Sequence, residues 1–274
     1  LTTASIAQTV ENIGAFVPTG LSADGSVVVG YQGGIYGNAV RWENGTLTNL
    51  GDGRAGKISD DGTVIAGTGY ESGVGFYPIR WVNGTKERIH LPWPNVESYG
   101  STVSGDGSTF FGLVIAPDNQ DLSAPFSLKD GVFRLHPGIE RYSSASQSSH
   151  DGSVFGGRTN RFIGEETACL WTPSGPQAIG SKASGVRAIS DDGTMALISD
   201  ALNGSYLYEI TTGKTTTVME GPSGMTSDGS IVIGWDNGAP AIWTAEQGTR
   251  NLRQSLFEDY GVVVPAAIGA AGLY

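Results

Sequence analysis

The sequence contains six copies of one short segment built around an Asp-Gly pair, and this repeat restricts the possible folds more than any other feature. The segment reads "LSADGSVVVG" from Leu21, "ISDDGTVIAG" from Ile58 and "VSGDGSTFFG" from Val103. Successive copies lie 36 to 45 residues apart. A repeat of this length is one supersecondary unit that buries its apolar faces against its neighbours, so a repeat architecture is predicted. The Asp residues of the copies are Asp24, Asp61, Asp106, Asp151, Asp192 and Asp228.

Each unit also carries a second motif, such as "AVRWENG", in which an aromatic residue precedes an Asn-Gly pair or a related turn. The Asp-Gly and Asn-Gly pairs lie between strand-like segments at two-residue spacing, which predicts β-hairpins, since Gly adopts positive φ without steric cost. Each unit is therefore predicted to be a four-stranded antiparallel meander. Helical spacing occurs in "NLRQSLFEDYG", which predicts a short helix near residues 251–260.

Six such sheets stacked around an axis form an all-β, six-bladed β-propeller, predicted here as a single domain over residues 1–274. In this arrangement the first strand of each blade lines the central channel. A stacked solenoid is the alternative architecture. The segment "TVENIG" at residues 9–14 is similar to "TLTNLG" at residues 46–51, so closure by terminal strands or a partial seventh blade stays open.

The three spaced elements together, S-x-D-G-[ST]-x-V-x-G, then A-x-x-W-x-x-G, then T-x-x-L-G, resemble the HAF-repeat family of predicted extracellular bacterial proteins. The resemblance covers all six units and extends to "NLRQSLFEDYG". It implies a protein that is secreted or displayed at the bacterial cell surface, often as part of a longer passenger protein. It implies no catalytic residues.

Composition limits the classes of function. The formal net charge of −11, with no basic cluster, argues against a nucleic-acid partner. No apolar run reaches the length of a membrane span, so no membrane insertion is expected. Cys169 is the single cysteine and cannot form an internal disulfide. No cofactor is predicted, and no metal site, because no His or Asp spacing typical of zinc or calcium ligands occurs.

The six repeat Asp residues are interpreted as structural turn residues that accept backbone N–H groups of their own hairpins. His150 lies directly before one of them, in "SSHDGSVFGG", and the three histidines of the chain occupy different positions of their units. The sequence therefore assigns no catalytic residue. The residues equivalent to His150 are expected on one face of the propeller, and they are Ala23, Asp60, Gly105, Asp191 and Ser227.

The segments that depart most from the repeat lie in units two to four, and binding surfaces of propellers are built from such loops. Exposed aromatic residues beside polar ones suit a glycan or protein surface. The favoured function is an exported, non-enzymatic binding or adhesion module. A carbohydrate-active hydrolase or lyase with carboxylates on one face, and a structural assembly module, are the alternatives. The predicted ligand-binding residues are Trp93, Tyr99, Arg141, Tyr142, Arg161 and Phe162.

Overall fold

The structure is a computed structural model that describes residues 13–34, 36–93, 96–116, 119–139, 142–159 and 165–264. These residues form six four-stranded antiparallel sheets and one short helix, α1 (Leu252–Tyr260). The sheets are the blades of a six-bladed β-propeller, which confirms the predicted fold, and α1 confirms the predicted helix. The segment at residues 9–14 and the last residues of the chain fall wholly or largely outside the described residues, so the mode of ring closure stays a prediction.

Each blade consists of four strands that follow one another in the chain and pair in that order. The strands of blades 1 to 3 are β1 (Val17–Leu21), β2 (Val27–Gln32), β3 (Asn38–Glu43), β4 (Thr46–Asp52), β5 (Arg54–Ile58), β6 (Val64–Glu71), β7 (Gly75–Val82), β8 (Thr85–Arg88), β9 (Ser98–Val103), β10 (Thr109–Ala116), β11 (Asn119–Lys129) and β12 (Val132–Leu135). Those of blades 4 to 6 are β13 (Ser143–Ser148), β14 (Phe155–Thr159), β15 (Thr167–Thr172), β16 (Gly175–Ile179), β17 (Ser184–Ile189), β18 (Met195–Asp200), β19 (Tyr206–Glu209), β20 (Thr215–Thr217), β21 (Gly221–Met225), β22 (Ile231–Asp236), β23 (Ala239–Thr244) and β24 (Gly248–Asn251).

The two kinds of glycine turn differ in length. Asn44 and Gly45 both have positive φ, 49° and 75°, and join β3 to β4 as the predicted two-residue turn. The Asp-Gly connection is longer, because Ser22 N–H bonds to the Val27 carbonyl and a four-residue loop lies between them. The prediction of a two-residue turn at Asp-Gly is therefore wrong.

The physical reason is the side chain of the turn aspartate. Asp24 Oδ1 accepts the Ser22 hydroxyl at 2.7 Å and the Ser26 N–H at 3.0 Å, while the Ser22 hydroxyl oxygen accepts the Val27 N–H at 3.0 Å. These bonds satisfy polar groups that a longer turn would otherwise leave without partners. The other five blades repeat the pattern, which supports the structural role predicted for the turn aspartates.

The core formed by the described residues consists of five buried clusters, each between two blades that are consecutive in the chain. The second strand of a blade contributes to the clusters on both of its sides. In β10, for example, Phe110 packs into the cluster with blade 2, whereas Phe111 packs into the cluster with blade 4. Successive strand residues point to opposite faces, so a strand covered on both faces is apolar at every position.

The contact between blades 6 and 1 differs from the other five. No buried cluster of the described residues joins these two blades. Leu21 of blade 1 and Ile233 of blade 6 border one cavity, yet 60% and 37% of their surfaces are exposed. Among the described residues, blades 1 and 6 each share a buried cluster with one neighbouring blade, whereas blades 2 to 5 each share clusters with two neighbouring blades.

Candidate functional site

The segments that depart most from the repeat contain connections at one end of the propeller. The first and third strands of each blade end at its glycine turns, so these turns define one face, called the turn face. The connections after the second and fourth strands lie at the opposite end, called the loop face. The long segments of units two to four contain connections of this second kind.

Two of the predicted binding residues, Tyr99 and Tyr142, border the same cavity of about 690 Å³ at the loop-face end of the channel. We call it the mouth cavity. Its wall is part apolar and part polar, and the polar part includes serine hydroxyls from blades 3 to 5 and the side chains of Gln147, Arg158 and Arg187. Hydroxyl, amide and guanidinium groups around two aromatic rings form a surface that suits a polar ligand with apolar faces.

The structure places the other predicted residues differently. Trp93 lies in a separate groove with Tyr77 and His90, and its ring meets Phe133 edge-on at 5.6 Å between centroids. It does not border the mouth cavity, because this packing holds it at the outer strand of blade 3. Arg141, Arg161 and Phe162 lie outside the described residues.

A row of four aromatic rings leads across the loop face to the mouth cavity, and we call it the aromatic strip. It consists of Tyr36, Tyr70, Phe76 and Tyr99, whose successive centroids are 4.4, 5.2 and 5.0 Å apart. Tyr36 and Tyr70 are 65% and 41% exposed. The Tyr99 hydroxyl donates to Glu97 Oε1 at 2.6 Å, which fixes the ring beside the cavity.

Of these four aromatic residues, the sequence predicts only Tyr99 as a binding residue. Tyr36 lies in the short connection after the second strand of blade 1, Tyr70 near the end of the second strand of blade 2, and Phe76 near the start of the third strand of blade 2. Their connections are short, so they do not stand out as departures from the repeat. The available signal was an aromatic residue next to the glycine-rich connection in two consecutive units, "GGIYGN" and "TGYESGVGF".

Cationic side chains line the interior of the channel. Gln147 and Arg187 border both the mouth cavity and a second cavity of about 530 Å³, the axial cavity, which extends to the turn face. Lys57 also borders the axial cavity, and burial lowers the pKa of its amine. Within the part of the chain that the structure describes, no carboxylate forms an ion pair with Lys57 or Arg187.

The residues equivalent to His150 lie together at the turn face, as the repeat alignment predicts, and backbone hydrogen bonds link most of them from blade to blade. Between blades 3 and 4 the bond to His150 comes from the next residue, Asp106 N–H. Ala23 N–H bonds to the Asp60 carbonyl, Asp60 N–H to the Gly105 carbonyl and His150 N–H to the Asp191 carbonyl, at 2.8 to 3.0 Å. Asp191 N–H bonds to Ser227 in the same way. The side chains at these positions consequently surround the axis.

Three of these side chains, Asp60, His150 and Asp191, meet at the axis, and we call them the axial cluster. His150 Nδ1 lies 2.6 Å from Asp60 Oδ2. This hydrogen bond raises the pKa of His150. Partial burial and the negative charge of Asp60 raise the pKa of Asp191. His136, by contrast, is a packing residue: its Nε2 lies 2.8 Å from the Ser127 hydroxyl and its ring meets Phe155.

No family model and no curated protein match the sequence. Solved structures match the fold at low identity. An oligogalacturonate lyase in complex with manganese is 13% identical, with a TM-score of 0.61 over 85% of this chain and 75% of that chain. The β-propeller domain of Cps50 (Swd1) from Myceliophteria thermophila is 12% identical, with a TM-score of 0.54 over 87% of each chain.

TolB from Acinetobacter baumannii is 14% identical, with a TM-score of 0.52 over 82% of this chain and 65% of that chain. At these identities the matches show the propeller fold and nothing finer. Among the described residues, no helix combines the length and apolar character needed to cross a membrane.

Proposed function

We propose that this propeller is a glycan-binding module, acting outside a bacterial cell, whose loop face holds a saccharide along the aromatic strip and in the mouth cavity. The observation that supports this most directly is the continuity of the two features. Tyr99 is the last ring of the strip and part of the cavity wall, so one extended ligand can contact both.

The chemistry of the surface favours a sugar over an apolar peptide. Sugar rings have apolar faces that stack on aromatic side chains and hydroxyl edges that need hydrogen-bond partners. The strip offers exposed tyrosine rings, and the cavity offers serine hydroxyls, Gln147 and two arginines. Arg158 is 3.4 Å from Glu166, whereas Arg187 forms no ion pair with a described carboxylate, so Arg187 is available to a carboxylate or hydroxyl of the ligand.

The location outside the cell is supported by the HAF-repeat resemblance, which also favours an adhesive role at the cell surface. A protein partner would use the same loop face. The expected ligand is an oligosaccharide of several units, since the strip and cavity together are longer than one sugar ring.

A glycan array followed by calorimetric titration of the strongest oligosaccharide tests the proposal. Tyr36→Ala and Tyr70→Ala should each weaken binding roughly three- to tenfold, the equivalent of about 0.5–1.5 kcal/mol per aromatic contact. Tyr142→Ala should weaken it similarly.

Tyr260→Ala, which removes an exposed tyrosine from α1, is the matched control and should bind like the wild type. Trp93→Ala should also leave binding unchanged, because Trp93 lies outside the mouth cavity. If Tyr36→Ala and Tyr70→Ala bound the sugar with the affinity of the wild type, the proposed site would be refuted. Turnover of the bound oligosaccharide would instead point to the hydrolase or lyase alternative.

A further inference from the structure

The axial cluster brings together three metal-ligating side chains from three different blades. Asp60, His150 and Asp191 belong to blades 2, 4 and 5, and one ligand atom of each lies within 4.8 Å of the others. They are distant in sequence, and Asp60 and His150 alone are 90 positions apart. Only the ring of blades brings them into contact, which is why no ligand spacing is visible in the sequence.

A glycine in the intervening blade makes this approach possible. Gly105 occupies the equivalent position of blade 3, between Asp60 and His150. A Cβ at Gly105 would overlap with Asp60 Oδ2 and come within 2.8 Å of His150 Nδ1. The absence of a side chain at this position therefore leaves the space in which the imidazole and the carboxylate meet.

The side-chain carboxylate of Asp191, the third member of the cluster, has no hydrogen-bond or ion-pair partner among the described residues, although its backbone is bonded on both sides. Its negative charge and that of Asp60 repel each other across the axis. A cation placed between them would convert this repulsion into attraction.

Three further carboxylates of the turn face add negative charge around the cluster. The carboxylates of Asp106, Asp192 and Asp228 act electrostatically on the cluster. Each of them is held as an acceptor in its own turn and stays in place as a fixed charge. The turn face therefore attracts cations to the axis.

Two cations lie on the other side of the cluster. Lys57 and Arg187 border the axial cavity, but neither is within 4.0 Å of a carboxylate oxygen of Asp60 or Asp191. The carboxylate of Asp191 is therefore not paired with either cation, and the Asp60 carboxylate contacts His150. The two cations do not occupy the position that a bound ion would take.

We infer that Asp60, His150 and Asp191 form a site for a first-row transition-metal dication such as zinc, separate from the loop face. The ligands are His150 Nδ1 and one carboxylate oxygen of each aspartate. Zinc takes the place of the proton between His150 Nδ1 and Asp60 Oδ2, and this proton is released to solvent. Metal bonds of about 2.0–2.2 Å place two ligand atoms at most about 4.4 Å apart, so small side-chain rotations complete the site. The imidazole nitrogen and the small number of protein ligands favour zinc over calcium, which takes six to eight oxygens.

Calorimetric titration of the full chain with zinc chloride, after chelator treatment and buffer exchange, tests the inference. One zinc ion should bind per chain, and calcium chloride should give no comparable binding. His150→Ala and Asp191→Asn should each weaken zinc binding by at least about tenfold, the loss seen when even an outer partner of a metal ligand is removed.

Two control variants distinguish specific zinc coordination by the axial cluster from nonspecific attraction of cations to the negatively charged turn face. Asp130→Asn removes a charge from a β11–β12 turn on the same face, and Asn occupies the equivalent position in blades 1 and 2. Ser227→Ala changes the equivalent position of blade 6. Both should bind zinc like the wild type. A loss in Asp130→Asn equal to that in Asp191→Asn would overturn the inference.

Gly105→Ala provides a test that leaves all three ligands in the chain. The added methyl group should separate Asp60 from His150 and weaken zinc binding by at least about tenfold, with circular dichroism confirming that the blades remain folded. Unchanged zinc affinity in Gly105→Ala and His150→Ala, or no zinc binding by the wild type, would show that the cluster is only a hydrogen-bonded contact.

Discussion

At the scale of single residues, the turn aspartates show how one side chain can determine a local conformation. Asp24 accepts the Ser26 N–H and two hydroxyl groups, and these bonds lower its pKa to about 2. Asp228 is held in the same way, with a pKa also of about 2. Neither carboxylate is buried, so hydrogen bonding and not desolvation is the cause.

These pKa values predict a pH-dependent contribution to stability. The folded-state pKa lies below the reference value of 3.8, so each ionised carboxylate stabilises the fold above about pH 4. This stabilisation is lost as the pH falls from about 4 to about 2. The melting temperature of the wild type should exceed that of an Asp24→Asn, Asp228→Asn double variant at pH 5, and the difference should shrink towards pH 2.

Asp52→Asn is the matched control, since Asp52 is an exposed residue that is not one of the six repeat turn aspartates. Its melting temperature should follow that of the wild type across the same pH series. A difference between the wild type and the double variant that stays constant from pH 5 to pH 2 would contradict the linkage.

At the scale of elements, the strands and most turns could be predicted from the sequence because their causes are local. Asn-Gly pairs determine their own backbone conformation, and two-sided apolar strands follow from burial on both faces. The Asp-Gly loop was predicted too short because its extra length depends on the Ser22, Asp24 and Ser26 hydrogen bonds acting together.

The candidate site could be predicted only in part, since it depends on which elements become neighbours. Tyr99 and Tyr142 could be predicted as binding residues because their segments depart from the repeat, and both border the mouth cavity. Trp93 stood out for the same reason but packs against Phe133. The aromatic strip and the axial cluster arise from contacts between blades, and no spacing within one unit reveals them.

The two-sided strands predict independent contributions from neighbouring residues. Phe110→Leu and Phe111→Leu should each lower the free energy of unfolding by about 1 kcal/mol, since the volume change is small. Because the two rings belong to different clusters, the double variant should be additive within about 0.5 kcal/mol. Equilibrium urea unfolding measures all three values.

Val132→Ala, at an exposed position of β12, should change the free energy of unfolding by less than about 0.5 kcal/mol in the same assay. A coupling between the two phenylalanine variants well above about 0.5 kcal/mol would mean that the clusters of blades 2, 3 and 4 behave as one unit.

At the scale of the whole molecule, the blades are not equivalent. Among the described residues, blades 1 and 6 each share one buried cluster, and the blades between them share two. The exposed Leu21 and Ile233 lie where blades 6 and 1 approach each other. In an array of units stabilised by contacts with neighbours, units with fewer contacts open more readily.

Hydrogen exchange should report this difference. Amide protons in the second strands of blades 3 and 4, β10 and β14, should exchange more slowly than those of β2 and β22 in blades 1 and 6. Mass spectrometry of peptides from the exchanged protein resolves these strands. Equal protection of all second strands would show that blades 6 and 1 are joined as firmly as the others.

The order of the buried clusters also affects how the chain folds. Each cluster joins two blades that follow one another in the sequence, so each can form without contacts between distant parts of the chain. The entropy of closing each loop stays that of a segment about one repeat long. Such low contact order favours fast folding that proceeds blade by blade from either end or from the middle. A chain emerging gradually from a ribosome or a membrane pore can therefore bury each new blade against the previous one as it appears.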